Sequence, residues 1–363
     1  MKFIHAADFH LCSGFITTAL KSEIANAHRE QLWDTFHNII STCEKENADI
    51  LLLPGDIFEA AYARVSDIKR IIDALSSIPS TRVFIAPGDA DSLIGESYYN
   101  IVQLPQNTHI FRQYEEVYIP ELNTSVHGFG WEKNRYAELP FSFRPLDKDR
   151  INLLCLHCDL TNSSDYLPIS EEMLASIGFD YAALGHVHKA TQVKNNIFYS
   201  GSPEPLNFGE EGRHGYVTGV FEEKKLSLSF MVSNRREFAT LQLKITSDMN
   251  EELIKSQVRQ ACGDGMPKHV YRLVFTGIKH PLIDITEIMD DFMDDFYSVD
   301  YYDRTVPDYD IKKIYQDNKD NIIGKFIYSL TQDATKDPIA YKALLSGLEA
   351  LLYRQEGSLK ENV

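Results

Sequence analysis

Seven side chains of metal-binding type sit at the ends of apolar runs in this sequence. "AADFH" supplies Asp8 and His10, "PGDIF" supplies Asp56, and "PGDAD" supplies Asp89. Two later runs end in histidine: "LLCLHCD" gives His157, and "YAALGHVHK" gives His186 and His188. Taken singly these residues mean little, since a strand-end aspartate is most often a helix N-cap. As an ordered set they mean more. That much negative charge gathered without a cation would be strongly repulsive. Mixed oxygen and nitrogen donors suit manganese, iron or zinc better than calcium. Seven ligands are too many for one ion and fit two ions that share a carboxylate. Two such ions, about 3.5–4 Å apart, clamp a phosphoryl group for in-line attack, so the expected chemistry is metal-assisted phosphoester hydrolysis.

These ligands need a scaffold that brings strand ends to one edge. "KFIHAA" forms a first strand, and Leu32, Phe36, Ile39, Ile40 and Cys43 recur at helical spacing over 26–47. A strand over 49–53, a helix carrying Val65, Ile68, Ile71, Ile72 and Leu75 on one face, and a strand over 82–86 follow. This βαβαβ order predicts adjacent parallel strands with helical crossovers. Ligands of such sheets bind beyond the C-terminal strand ends. Glycine before Asp56, Asp89 and His186 suits sharp turns at a crowded site. Short strands are expected near 125–129, 151–156, 180–184 and 197–199, then a hairpin of 216–221 with 226–230.

From about Ala239 the pattern restarts as strand 240–245, helix 251–261, strand 270–275, helix 283–296 and a strand near 298–302. The acidic run 289–310 is expected to be an amphipathic helix with a solvated face, because Ile288, Phe292 and Phe296 recur every four residues. The last stretch looks helical, with Leu344, Leu345, Leu348, Leu351 and Leu352 forming an apolar stripe. That stripe needs a cover, either a partner or the protein itself.

A chain of 363 residues with 44% hydrophobic content suits two globular domains. No run approaches the roughly 18 apolar residues of a membrane span. His5, Asp8 and His10 interrupt the N-terminal apolar run, so no signal peptide is expected and the location expected is cytoplasmic. A net charge of −17 argues against a broad basic face for nucleic acid. A nuclease whose metals or partner supply the positive charge remains open. Five irregularly spaced cysteines form no disulfide framework, and the Cys155-Cys158 pair lies in a strand rather than at a helix start.

The order D-x-H, G-D, G-D-A-D, H, G-H-x-H resembles the calcineurin-like metallophosphoesterases, and within them the SbcD/YhaO type of DNA-repair exonuclease. "FIHAADFHL", "ESYYN" and "YSGSPEPLNFGEEGRHGY" carry the same resemblance. It implies a four-layer α/β sandwich of two β-sheets flanked by helices over 1–238, a small α/β capping domain over 239–310 and a C-terminal helical segment over 311–363. It also implies that Asp8, His10, Asp56 and His188 hold one divalent metal, and that Asp56, Asp89, His157 and His186 hold the other. Mn2+ is the expected ion, with Fe, Zn and Mg as alternatives. The implied partner is an SbcC-like ABC ATPase with a coiled coil, reached through C-terminal helices. DNA would be engaged mainly through that complex, with homodimerisation open and no membrane involved. The sequence departs from the family at Gly88-Asp89-Ala90-Asp91, where the family has asparagine at 89 and histidine at 90. The resemblance gives that histidine the leaving-group proton, so reduced activity is expected and no catalytic side chain is assigned. A catalytically weak, metal-binding structural or regulatory subunit is one alternative. A small-molecule phosphodiesterase is another.

Overall fold

Residues Ile50–Leu53 are apolar at every position, as expected of a strand covered on both faces. The computed structural model of the protein describes residues 1–15, 20, 22–334 and 338–360. It opens with β1 (Lys2–His5), α1 (Ser22–Lys45), β2 (Ile50–Leu53), α2 (Val65–Ser76) and β3 (Arg82–Ile85). A short α3 (Tyr98–Ile101) leads to β4 (Thr108–Ile110), and strands β1 to β4 pair in parallel. A second series follows: β5 (Glu115–Ile119), β6 (Thr124–Phe129), β7 (Ile151–His157), α4 (Glu171–Ile177), β8 (Tyr181–Gly185), β9 (Thr191–Lys194) and β10 (Ile197–Tyr199). The hairpin of β11 (Gly215–Glu222) and β12 (Lys225–Val232) returns to the first sheet, with β11 antiparallel to β1. The sheet orders are β12-β11-β1-β2-β3-β4 and β5-β6-β7-β8-β10-β9.

Alternation along β2 assigns the layers. Leu51 and Leu53 pack with Phe36, Ile40, Ile68 and Ile71 of the two long helices. Ile50 and Leu52 point the other way, into a layer shared with Val126, Leu153, Cys155 and Tyr181 of the second sheet. The far face of that sheet, through Leu154, Leu156 and Leu184, is covered by Leu174 of α4 and by Trp131. The result is the four-layer sandwich. Strands β4, β5 and β9 carry no sequence expectation, because edge strands such as "THI" and "TQVK" need no apolar period.

A buried carboxylate ties α1 to this core. Glu204, between β10 and β11, accepts hydrogen bonds from Thr35 Oγ1 (2.7 Å), Gln31 Nε2 (3.0 Å) and the Arg235 N–H (3.2 Å). Burial outweighs those donors and lifts Glu204 from its ordinary 4.5 to about 7. Between those values the folded protein holds a proton that the unfolded chain has released. Stability from this group is therefore lost as pH rises through the window. At about 1.4 kcal/mol per pH unit the loss is on the order of 3 kcal/mol. Glu204→Gln keeps an acceptor for Thr35, and Gln31 can turn its amide to meet the new donor. Urea unfolding at about pH 5 and about pH 8 should show the wild type losing roughly 3 kcal/mol more than this variant. Parallel pH profiles would refute the assignment.

The second compact unit is Thr240–Val363. Here β13 (Phe238–Ile245), α5 (Glu251–Cys262), β14 (Val270–Lys279), α6 (Ile285–Asp290) and β15 (Ser298–Pro307) follow in order. The sheet order is β13-β14-β15, and β14 and β15 run parallel along their whole length. The helix expected over 283–296 ends at Asp290 and gives way to a 3-10 turn, Met293–Asp295. Ile285, Ile288, Met289, Phe292 and Phe296 are still buried. Aspartates at 290, 291, 294 and 295 are weak helix formers, so the chain turns instead. Beyond them the solvated-helix reading of 289–310 fails outright: Val299, Tyr301, Tyr302, Thr305 and Val306 favour the strand that forms.

Helices α7 (Ile311–Asp317), α8 (Ile322–Ala334) and α9 (Pro338–Lys360) follow. Leu344 and Leu348 are buried against Ile323 and Ile327 of α8. Gly347 lets the Phe326 ring occupy the space a Cβ would need. The core of the leucine stripe is therefore covered by the protein's own helix, and apolar spacing alone could not tell this from a partner. Among the described residues no helix is long and apolar enough to cross a membrane.

Candidate metal centre

The strands β1, β2 and β3 end side by side, and the residues that leave them are bent. Asp8 (φ 55°), His10 (45°), Asp56 (53°) and His186 (102°) all lie in the left-handed region. Each such residue costs about 1–3 kcal/mol and persists only where its surroundings hold it. Here the Asp8 N–H donates to the Gly55 carbonyl (3.1 Å) and the His10 N–H to the Asp56 carbonyl (2.9 Å). The His186 N–H donates to the Asp8 carboxylate at 2.9 Å. Gly55 cannot be replaced easily, because at φ 85° its Cβ would come within 2.6 Å of His157 Nδ1 and 2.7 Å of the Gly88 nitrogen.

The second acid of "PGDAD" has a separate task. Asp91 is fully buried and accepts from the N–H groups of Asp56 (3.1 Å), Ile57 (2.9 Å) and Gly88 (2.8 Å), and from Tyr99 Oη (2.8 Å). It clamps the β2 and β3 turns together. The Asp56 carboxylate in turn accepts from the Ala90 N–H at 2.9 Å.

All seven residues picked out from the sequence converge. Donor atoms of Asp8, His10 and His188 lie within 4.8 Å of one another, as do those of Asp89, His157 and His186, and those of Asp8, Asp56 and His157. Asp56 Oδ2 reaches both sides, 3.5 Å from His10 Nε2 and 3.7 Å from His157 Nε2. Asp89 Oδ1 lies 3.1 Å from His157 Nε2 and 3.9 Å from His186 Nδ1.

Outer partners orient the rings. His10 Nδ1 is 2.7 Å from Glu59 Oε1, His188 Nδ1 is 2.9 Å from Glu210 Oε1, and His157 Nδ1 is 3.0 Å from the Pro54 carbonyl. The His186 ring stacks on Tyr166, with centroids 4.7 Å apart. Sequence reading missed Glu59, Glu210 and Tyr166 as parts of this site, and it placed Asp91 in the motif without giving it a task. The "NFGEEGRHGY" segment held one of them, but no spacing rule marks a residue that only holds a ligand in place.

The charges gathered here shift one another's titration. Burial opposes charge on His10, yet the Glu59 hydrogen bond and the Asp56, Glu59 and Asp8 charges lift it to about 9. Burial opposes charge on His157 too, but Asp56, the Asp89 hydrogen bond and Asp8 raise it to about 10. Burial pushes the Asp8 carboxyl up against the pull of His188 and His157. Asp89 goes down in spite of burial, through its hydrogen bond to His157 and that ring's charge. His10 Nε2 and His188 Nε2 face each other at 3.0 Å while both Nδ1 atoms are committed to glutamates. Two lone pairs at that distance need a proton or a metal ion between them. Three carboxylates and four imidazoles so disposed fit a pair of divalent cations. The Cys155 and Cys158 thiols are buried, and burial pushes both pKa values up, as for structural cysteines.

Comparisons with known proteins agree with this chemistry. The sequence model of one family, calcineurin-like phosphoesterase, matches residues 1–190. The chain is 28% identical over 232 residues to the uncharacterized metallophosphoesterase YhaO of Bacillus subtilis, covering 60% of this chain and 56% of that one. It is 24% identical over 292 residues to the DNA double-strand break repair protein Mre11 of Methanopyrus kandleri, covering 72% and 63%. The Mre11 protein of Saccharolobus solfataricus is 25% identical over 232 residues, covering 60% and 57%. The alignments thus span less than two thirds of the length of each of these relatives.

Proposed function

Because the chain belongs to the calcineurin-like phosphoesterase family, we propose that it is a dinuclear-metal-dependent phosphodiester hydrolase, a DNA-repair nuclease subunit of the SbcD type. The observation that carries this reading is the convergence of seven strand-end ligands around facing imidazole nitrogens. In this proposal Asp8, His10 and His188 hold one ion, Asp89, His157 and His186 hold the other, and Asp56 spans both. Mn2+ is the proposed metal. When bound, the two cations neutralise phosphoryl oxygens and make a water acidic enough to act as nucleophile near neutral pH.

The chain's own residues set the geometry and the limits. Asp91 fixes the turns that carry Asp56 and Asp89, so both carboxylates arrive at fixed positions. Asp89 brings one more negative charge than the family's asparagine and disfavours approach of a phosphate. Ala90 has no proton to give a leaving oxygen, which favours slow cleavage of unactivated diesters. That same residue supports the second reading, a metal-loaded subunit with little catalysis of its own.

The segment 239–310 is proposed as the capping domain and 311–363 as the segment nearest an SbcC-like coiled-coil ATPase. With a charge of −17 the isolated chain should hold duplex DNA weakly, so DNA would be engaged mainly through that complex in the cytoplasm. A substrate panel of DNA, cyclic nucleotides and aryl phosphodiesters with Mn2+ tests the proposal. Metal-dependent DNA cleavage that strengthens with the ATPase supports it. Cyclic-nucleotide hydrolysis without DNA cleavage would replace it with a small-molecule phosphodiesterase.

A further inference from the structure

The imidazoles on the two sides of the centre are backed differently. On one side His10 Nδ1 meets Glu59 Oε1 at 2.7 Å and His188 Nδ1 meets Glu210 Oε1 at 2.9 Å. On the other, His157 Nδ1 meets the Pro54 carbonyl at 3.0 Å, with Asp8 Oδ1 farther off at 3.8 Å. His186 turns its Nδ1 toward Asp89 and carries Tyr166 against its face.

An ionised carboxylate accepts hydrogen bonds and cannot donate. Each glutamate therefore fixes a hydrogen on Nδ1 and leaves the Nε2 lone pair to the centre. Glu210 is held independently of His188: it accepts from the Leu206 N–H (2.9 Å), Asn207 Nδ2 (2.6 Å) and Ser202 Oγ (3.3 Å). Glu59 is tied down through its backbone, whose N–H donates to the Leu11 carbonyl at 2.9 Å. The Glu210 carboxylate is thus placed independently of its ring, and the Glu59 side chain leaves an anchored backbone beside His10.

We propose that Glu59 and Glu210 are positioning residues for the Asp8–His10–His188 metal site, selecting the Nδ1–H tautomer of both rings so that two Nε2 atoms converge on one cation. This rests on the metal-binding reading above. Removal of an outer partner of this kind typically costs 10–100-fold in metal affinity. The Asp89–His157–His186 site, backed by a neutral carbonyl and a stacked ring, should not feel the change.

The test uses the full chain and Mn2+ alone, with free ion followed by electron paramagnetic resonance. Glu59→Gln keeps an acceptor and loses the charge, whereas Glu59→Leu loses both. One of the two sites should weaken about 10-fold in the first variant and about 100-fold in the second, with the other site unmoved. In the Zn2+-loaded protein, imidazole 15N–1H correlations should show Nδ1–H on His10 and His188, with the His10 signal lost in Glu59→Leu. If Glu59→Leu melts early without metal, Glu59→Gln and Glu210→Gln carry the same comparison. Equal weakening of both sites, no weakening of either, or an Nε2–H on His10 in the loaded wild type overturns the proposal. A wild type that binds no Mn2+ overturns the metal-binding reading with it.

Discussion

Asp56→Asn should hold no more than one Mn2+ per chain and lose about 10³-fold in phosphodiester hydrolysis. The loss corresponds to the several kcal/mol of charge stabilisation that a metal ion supplies to a phosphoryl group. Asp56 is the carboxylate whose oxygen reaches His10 on one side and His157 on the other, so its removal weakens both ligand sets. Without metal the Asp56 charge acts both ways. It pushes the carboxyls of Asp8 and Asp91 upward, which records repulsion among buried acids, and it lifts His10 and His157, which records attraction. Asparagine removes both and retains an oxygen for the Ala90 N–H, so bound metal is what should separate the two proteins.

Mn2+ should then raise the wild type above the variant. A ligand at about 100 times its dissociation constant adds about 2.7 kcal/mol to the wild type, while the variant gains little. Melting curves with and without Mn2+, together with metal content, decide the matter. Two Mn2+ ions in the variant would remove the bridging role. A large drop in the metal-free midpoint would make Asp56 a structural anchor as well.

The clustering of these side chains was readable from sequence because they sit where a parallel sheet must present them, at strand ends in chain order. Asp8, Asp56 and Asp89 follow β1, β2 and β3 directly, and nothing but the strand assignments is needed to bring them together. Glu59 and Glu210 were not readable in this way. They reach their histidines through loops whose paths depend on clamps such as Asp91 and on the 202–210 turn. In the second unit, apolar spacing located the buried faces of α6 and α9 but not their extent or their cover. Four aspartates ended α6 early although Phe292 and Phe296 kept the period. The α9 stripe was real, and α8 already occupied its centre. Periodicity reports that a face is buried, while the partner of that face is a tertiary fact.

Ala90→His should raise cleavage of unactivated diesters by about 10²–10⁴-fold, the usual contribution of a positioned general acid, and barely change nitrophenyl esters. An alkoxide leaving group needs a proton as its bond breaks, whereas a nitrophenolate departs without one. The backbone is ready for the substitution. The Ala90 N–H is fixed on the Asp56 carboxylate at 2.9 Å, and its carbonyl accepts from the Ala60 N–H at 3.0 Å. Residue 90 is half-buried beside the centre, so an imidazole there need not displace a core side chain. Asp89→Asn in the same chain should add to the gain by removing a negative charge that disfavours phosphate. Rates with DNA and with a nitrophenyl diester, measured at saturating Mn2+ for the three proteins, separate the two contributions. A gain confined to the DNA substrate assigns the defect to the missing proton donor. Equal gains on both substrates would place the defect in charge or metal geometry, and no gain on either would mean that another group already protonates the leaving oxygen.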